Sequence, residues 1–228
     1  MKVIAFSLWG DKQIYNAGAI ANAKLALSLF PDWVCRFYVG KNTDSFVIDE
    51  LRRFDNVEIV DTGLQGTMKS MVWRFTACSD SDVSVVLSRD TDSRLSIREV
   101  EAVDMWLRSE KDFHIIRDHP HHGAPILGGL WGARGGLLKD INALLTEFES
   151  FGVEDAVQYD QTFLKKMVFD RVRHNSFVND EFFDKVNPLT SDRDVNGVFF
   201  LGEIFNADGS FHSQHHRDLL IEYYANNR

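Results

Sequence analysis

The sequence predicts an α/β fold, a mainly parallel central sheet flanked by helices, in a single domain spanning residues 1–228. Two observations carry this expectation. Apolar runs bounded by polar turns recur at Val3 to Leu8, Val34 to Val39, Val57 to Val60, Val83 to Leu87 and Phe113 to Ile116. Segments of helical composition separate them, and strands that alternate with helices assemble into parallel sheets covered on both faces. A chain of 228 residues with 44% hydrophobic content is long enough to bury one sizeable core.

The first run follows a single Lys, and charge interrupts it too soon for a secretion signal, so it reads as the first strand. AGAIANAKLALSLF comes next with helix-forming residues and ends at Pro31, which cannot continue a helix; the opening is therefore βαβ. In GTMKSMVWRFTACSD the apolar Met68, Met71, Val72 and Phe75 recur at helical spacing, leaving Lys69, Trp73 and Arg74 to face a ligand. Arg74 is the preferred basic contact, with a surface ion pair as the alternative. Ser96 followed by Glu99 is a capping-box pattern, and Ile97, Val100, Val103 and Leu107 continue it as a helix. Residues 156–169 read as another helix, with Val157, Asp160, Gln161, Leu164 and Val168 on one face.

Composition excludes several functions. A net charge of -9 argues against nucleic acid as the main partner, because that affinity comes from Lys and Arg neutralising phosphates. No window approaches the roughly 20 apolar residues of a transmembrane helix, so no transmembrane segment is expected. Cys35 and Cys78 lie among apolar neighbours without CxxC spacing and read as small hydrophobes. The expectation is a soluble, cytoplasmic protein.

The most informative segment is SDVSVVLSRDTDSR. A buried strand runs straight into Asp90, Thr91 and Asp92, and ligands of open α/β sheets bind beyond the carboxyl ends of strands. Two hard oxygen donors suit Mn²⁺ or Mg²⁺, which combine few carboxylates with water and substrate phosphates. Arg89 and Arg94 are candidates to assist at the phosphates; the alternative is a solvated acidic turn that pairs locally with them. Asp160 and Gln161 stand on a buried stripe, where polar groups cost free energy unless bonded to a substrate or a polar network. Ser7, Leu8, Trp9 and Gly10 end the first strand, where a nucleotide base would lie, and Tyr15 is placed to stack on it or simply to pack on the sheet. ILGGLWGARGG has no GxGxxG opening a first helix; Gly128 and Gly129 read as a close backbone approach or a tight turn. The histidines at 119, 121, 122, 212, 215 and 216 have no Cys partner and no HExxH, so they read as polar loop residues or substrate contacts rather than a zinc site, while Asp118 is a candidate acid or base toward an acceptor.

At these residues a family resemblance appears. RDTDSR after a buried strand resembles the DxD motif of GT-A fold glycosyltransferases. With FHIIRDHPHH and PILGGLWGARGG, nearly the whole chain resembles the small glycosyltransferase domain that large algal viruses use on their capsid protein. The resemblance implies a GT-A fold, a UDP-sugar donor, a glycan or glycoprotein acceptor, capsid glycosylation in the host cytoplasm, and Mn²⁺ or Mg²⁺ on Asp90 and Asp92. It assigns Ser7 to Gly10 to uridine and Gly128 and Gly129 to the donor sugar. AVQYDQTFL resembles the YxDQ element of retaining enzymes related to the galactosyltransferases of lipooligosaccharide synthesis and to glycogenin. That likeness implies that Asp160 and Gln161 line the sugar site beside C1 and that His212 can serve as a third metal ligand. Those enzymes continue DQD, whereas Thr162 follows here.

Three rival functions remain distinguishable. Phosphatases of the haloacid dehalogenase type carry their nucleophilic Asp after the first strand, not the fourth. Sugar nucleotidyltransferases have a related sheet but open with a Gly-rich phosphate loop, which KVIAFSLWGDKQ lacks. A non-catalytic carbohydrate-binding or nucleotide-sugar-binding module needs neither an acidic pair nor the Asp160 and Gln161 face.

Overall fold

Largely apolar runs make the first strands, as expected of strands sandwiched between two helical layers. Lys2–Leu8 (β1) and Trp33–Val39 (β2) are buried along almost their whole length and pair in parallel, with Val3 opposite Val34. In the computed structural model, which describes residues 1–194 and 197–227, Val57–Asp61 (β3) and Val85–Ser88 (β4) extend this to a parallel order β3-β2-β1-β4. The connections are α1 (Gln13–Leu29), α2 (Ser45–Leu51) and a 3₁₀ helix over Met68–Ser79, and α3 (Ile97–Arg108) then leads to β5 (Phe113–Arg117). The chain winds from β1 out to β3 and returns to the far side of β1 for β4. This reversal leaves a crevice at the carboxyl ends of β1 and β4.

Two strands lie outside the sequence expectation. Trp131–Arg134 (β6) inserts antiparallel between β4 and β5, and Ser176–Asp180 (β7) adds in parallel beyond β5. The glycine run thus contains a strand. A Cβ at Gly132 would lie 2.9 Å from both Leu87 and Trp106, so glycine here lets the indole pack onto the sheet.

One face of the sheet packs against α1 and α3 through Ala19, Ala23, Ala26, Val103 and Trp106. The other packs against the 3₁₀ helix, α4 (Ile141–Ser150) and α5 (Tyr159–Phe163) through Phe75, Phe148 and Phe163. The two cysteines are free and buried in these layers. Among the described residues no helix is long and apolar enough to cross a membrane.

Two helices depart from the expected period. Met68–Ser79 turns with three residues per turn, so side chains at i and i+3 eclipse. Met68, Met71 and Arg74 then share one face and Val72, Phe75 and Cys78 the next, whereas an α-period would have grouped Met68 with Val72 and Phe75. The helix expected from residue 156 starts instead at Tyr159, after Gln158 with φ +69°. It widens into a π turn over Leu164–Val168 and continues as α6 (Phe169–Val172). Val157 falls outside it and is 76% exposed, while Asp160, Leu164 and Val168 are buried as expected. The last element is α7 (Gln214–Asn226).

Ser96 caps α3 by accepting the Glu99 N–H at 3.3 Å, but Glu99 does not complete the capping box. Its carboxylate pairs with Arg89, whose guanidinium also donates to the Ser88 and Trp131 carbonyls at 2.7 and 2.9 Å. Arg89 is 1% exposed and therefore locks β4 to α3 and β6. Removing one partner of a buried pair strands the other charge. Glu99→Ala is accordingly expected to cost about 3–5 kcal/mol in urea unfolding, and a loss below about 1 kcal/mol would contradict this role.

Candidate active site

The crevice at the strand reversal holds a cavity of about 270 Å³. The end of β1 supplies Ser7, Leu8 and Trp9, and the first turn of α1 supplies Tyr15. The 3₁₀ helix contributes the face bearing Met68, Met71 and Arg74, and the turn after β4 contributes Asp90, Thr91 and Asp92. The opposite wall comes from the β5–β6 loop, with His122 and Leu127 to Leu130, and from Gln158, Asp160 and Gln161.

Arg74 ties these parts together. Although 2% exposed, it donates from Nη1 to Asp90 Oδ1 at 2.5 Å and to the Arg89 carbonyl at 3.0 Å, and from Nη2 to Asp160 Oδ2 at 2.8 Å. Burial opposes its charge, but Asp90 and Asp160 together raise its pKa above the ordinary value. Ser7 seats the helix that carries it, accepting the Arg74 N–H at 3.0 Å and donating to the Met71 carbonyl at 3.2 Å.

The acidic turn is clamped from behind by α1. Buried Asn22 donates to the Thr91 and Ser93 carbonyls at 3.3 and 2.9 Å and accepts the Leu95 N–H at 3.0 Å. A Cβ on Gly18 would stand 1.9 Å from the Thr91 carbonyl oxygen, so only glycine allows the helix this close. Gly128 and Gly129 serve the same purpose on the other wall. Added Cβ atoms there would sit 1.8 Å from Asp160 Oδ2 and 1.9 Å from Asp90 Oδ2. The Gly128 carbonyl is itself held by Ser88 Oγ at 2.7 Å.

Three carboxylates against one guanidinium leave the cavity net negative. Burial raises the Asp160 pKa even with Arg74 attached, and burial followed by the Asp90 charge pushes Asp92 up to about 7. Tyr15 is raised as well, first by burial and then by Asp92 and Asp90, which places its hydroxyl within the field of the pair. Asp92 makes no ion pair among the described residues, and Asp90 commits one oxygen to Arg74. Two hard oxygen donors in a net-negative cavity fit a small divalent cation such as Mn²⁺ or Mg²⁺. No third His, Cys, Asp or Glu joins them among the described residues.

Several expected residues lie elsewhere. Arg89 does not reach the cavity, because its guanidinium is spent inside the fold on Glu99 and two carbonyls. Gly10, with φ +76°, forms the turn into α1 and is not part of the wall. Lys69 lies over the Tyr159 ring at 5.6 Å, and Trp73 packs edge-on against Trp9 at 6.3 Å. Arg94 braces the acidic turn through the Thr91 and Ser93 carbonyls. Asp118 is not an accessible acid or base: it is buried and bonded to Arg98, Arg193 and the Leu201 N–H. His212 is exposed, with Nδ1 2.8 Å from Asn206 Oδ1, and stands outside the cavity wall. Sequence reading missed Gly18 and Asn22, although two poor helix formers on the buried side of α1 were a signal.

No protein-family model matches the chain, nor does any curated protein sequence. Solved structures do share its backbone. The mannosyltransferase PcManGT from Pyrobaculum calidifontis, solved with GDP-Man and Mn²⁺, aligns with a TM-score of 0.51 at 13% identity, over 78% of this chain and 54% of its own. The chain thus spans about half of that enzyme's length. The galactosyltransferase LgtC, solved with donor and acceptor sugar analogues, aligns with a TM-score of 0.50 at 14% identity, over 79% of this chain and 74% of its own. The 4-diphosphocytidyl-2C-methyl-D-erythritol synthase from Anaerococcus prevotii gives 0.51 and 11%, over 83% and 93%. The chain has the GT-A fold, on which both sugar transferases and nucleotidyltransferases are built.

Proposed function

We propose that this protein is a metal-dependent glycosyltransferase that takes a sugar from a nucleotide-diphosphate donor, a UDP-sugar in the first instance, and passes it to a hydroxyl of a glycan or glycoprotein. The observation that carries the reading is the net-negative cavity at the strand reversal, with Asp90, Asp92 and Asp160 around one buried guanidinium. A donor diphosphate is itself anionic, so its entry requires a cation between it and Asp90 and Asp92. A Mn²⁺ or Mg²⁺ ion there would offset the charge that develops on the diphosphate as the bond to sugar C1 breaks.

The remaining chemistry belongs to the chain. Ser7, Leu8, Trp9 and Tyr15 form the wall at the end of β1 and take the base. Arg74 holds Asp90 and Asp160 in one rigid frame, so the carboxylate facing the sugar keeps a fixed relation to the carboxylate facing the diphosphate. Gly128 and Gly129 bring main chain against the sugar, and Asp160 and Gln161 line it. The sugars bound to LgtC and the GDP-Man and Mn²⁺ bound to PcManGT, on the same fold, support this reading. The likeness of FHIIRDHPHH and PILGGLWGARGG to the viral domain makes capsid glycoprotein the first acceptor to assay. Against a nucleotidyltransferase, β1 passes into α1 through Trp9 to Lys12 with no glycine-rich phosphate loop.

Calorimetric titration with UDP, GDP and UDP-sugars, in Mn²⁺ and in EDTA, tests the proposal. Mn²⁺-dependent binding and sugar release or transfer support it; pyrophosphate release from a nucleoside triphosphate would place the protein among the nucleotidyltransferases. Asp92→Asn is expected to weaken Mn²⁺-dependent UDP binding by about tenfold or more, since one of two anionic ligands is lost. Folding itself takes the opposite sign. A carboxyl whose pKa is raised on folding loses stability as pH climbs from its ordinary range through about 7, so in EDTA at pH 8 the Asn variant should melt no lower than the parent. A lower melting temperature would show that Asp92 serves the fold. Gly128→Ala should retain nucleotide affinity yet lower turnover by about 100-fold, because its methyl displaces the Asp160 carboxylate. Unchanged turnover would remove Asp160 from the site.

A further inference from the structure

His122 stands on the β5–β6 loop and lines the same cavity as Asp92 and Asp160. Its surroundings determine which ring nitrogen carries the proton. The Asp118 backbone N–H donates to Nδ1 at 3.1 Å, and an amide N–H has no lone pair to offer, so Nδ1 is the acceptor and Nε2 bears the hydrogen. The ring stays neutral. Burial, and after it the neighbouring His119, lower its pKa to about 3; Arg193 and His216 act in the same sense and Asp118 against it.

The neighbouring imidazole cannot relay a proton to it. His119 accepts the His121 N–H on Nδ1 at 3.0 Å and donates from Nε2 to the His216 carbonyl at 2.9 Å, so both of its nitrogens are committed. Phe200 fixes the plane of the His122 ring by an edge-on contact at 5.8 Å. Nε2 itself has no acceptor among the described residues, and it does not belong to the buried polar atoms left without a partner. It is therefore a donor that the fold leaves without an acceptor among the described residues, on a side chain that lines the cavity.

We propose that His122 is a specificity residue of the sugar site, its Nε2–H donating one hydrogen bond to a hydroxyl oxygen of a carbohydrate held there. The inference rests on the nucleotide-sugar reading given above. The chemistry of the wall favours a hydroxyl over a phosphate: the donor is uncharged, and Leu127, Leu130 and Ile204 line the same cavity. A sugar presents this combination, apolar C–H faces with hydroxyls at the edge, whereas a phosphate calls for Arg, Lys or a metal. A fixed donor also discriminates, because a sugar lacking an oxygen at that point leaves the N–H unpaired.

Two variants test this. His122→Phe keeps the ring against Phe200 and removes the donor; His122→Gln retains an N–H donor at similar reach. Their affinities for UDP, UDP-glucose, UDP-galactose and UDP-N-acetylglucosamine are measured in Mn²⁺ by calorimetry, and the stimulation of turnover by a set of methyl glycosides is measured alongside. UDP affinity should stay within about twofold in both variants. If the hydroxyl belongs to the donor, the preferred UDP-sugar binds His122→Phe about five- to tenfold more weakly, the value of one hydrogen bond, and His122→Gln recovers part of the loss. If it belongs to the acceptor, donor affinities hold and glycoside stimulation weakens by a similar factor. Equal losses for UDP and UDP-sugar, or no loss in any assay, would overturn the proposal. Histidine NMR of the parent gives an independent check: His122 should be neutral and protonated on Nε2 down to about pH 5. The other tautomer would overturn the assignment whatever the ligand, whereas a parent that binds no nucleotide while showing the expected tautomer would refute the nucleotide-sugar reading and, with it, this role.

Discussion

A guanidinium buried to within 2% of full enclosure is tolerable only where anions surround it, and Arg74 finds them in Asp90 and Asp160. The two acids come from chain segments 70 residues apart, so this one charge holds the turn after β4 and the start of α5 in register. Everything else in the cavity is arranged around that bond pattern. The three-residue period of the 3₁₀ helix aims Arg74 inward beside Met68 and Met71. Ser7 seats the helix on β1, and Gly128 and Gly129 leave room for both carboxylates. A side chain larger than hydrogen at either glycine would collide with an ion pair rather than with a flexible chain end.

The same arrangement places function in tension with folding. Asp92 lies in a half-buried turn beside another acid and has no ion-pair partner among the described residues; burial, and after it the Asp90 charge, push its carboxyl far above the usual range. The turn nevertheless holds its shape, because Asn22, Arg94 and the Phe205 N–H take up its carbonyls. The backbone is satisfied while the carboxylate charge is not. Under the proposed reading, a cavity built this way would meet a cation with little reorganisation left to perform on binding.

Much of this was legible in the sequence, and what was hidden was hidden for physical reasons. Strands β1 to β5 are largely apolar runs, broken only by single residues such as Arg36, Glu58 and His114, and the acidic pair announced itself by following one of them. Strand β6 was illegible because Gly132 breaks its pattern, yet that glycine is required by the packing of Trp106. The 3₁₀ helix was read at the wrong period because Met68, Met71, Val72 and Phe75 satisfy i+3 and i+4 spacing together, and the tertiary demand on Arg74 decides between them. Arg89 and Arg74 are both candidate basic contacts in sequence, one adjoining the acidic turn and the other on the preceding helix. Glu99, one turn into α3, captures Arg89 into the core and leaves Arg74 for the cavity.

The direction of β6 accounts for how the two walls meet. In a parallel strand the residues that reach the carboxyl edge of the sheet are those that follow it. Because β6 runs antiparallel, with Trp131 opposite Ser88 at the end of β4 and Arg134 opposite Val85 at its start, the residues that reach this edge are those that precede it. Leu127 to Leu130 therefore arrive beside Asp90 and Asp160, and the rest of the β5–β6 loop carries His122 to the same cavity. The parallel half of the sheet, β3-β2-β1-β4, presents the end of β1 and the acidic turn after β4. The reversed strand adds a second wall of glycine, leucine and histidine whose groups are apolar or neutral, chemically distinct from the acidic wall that faces it.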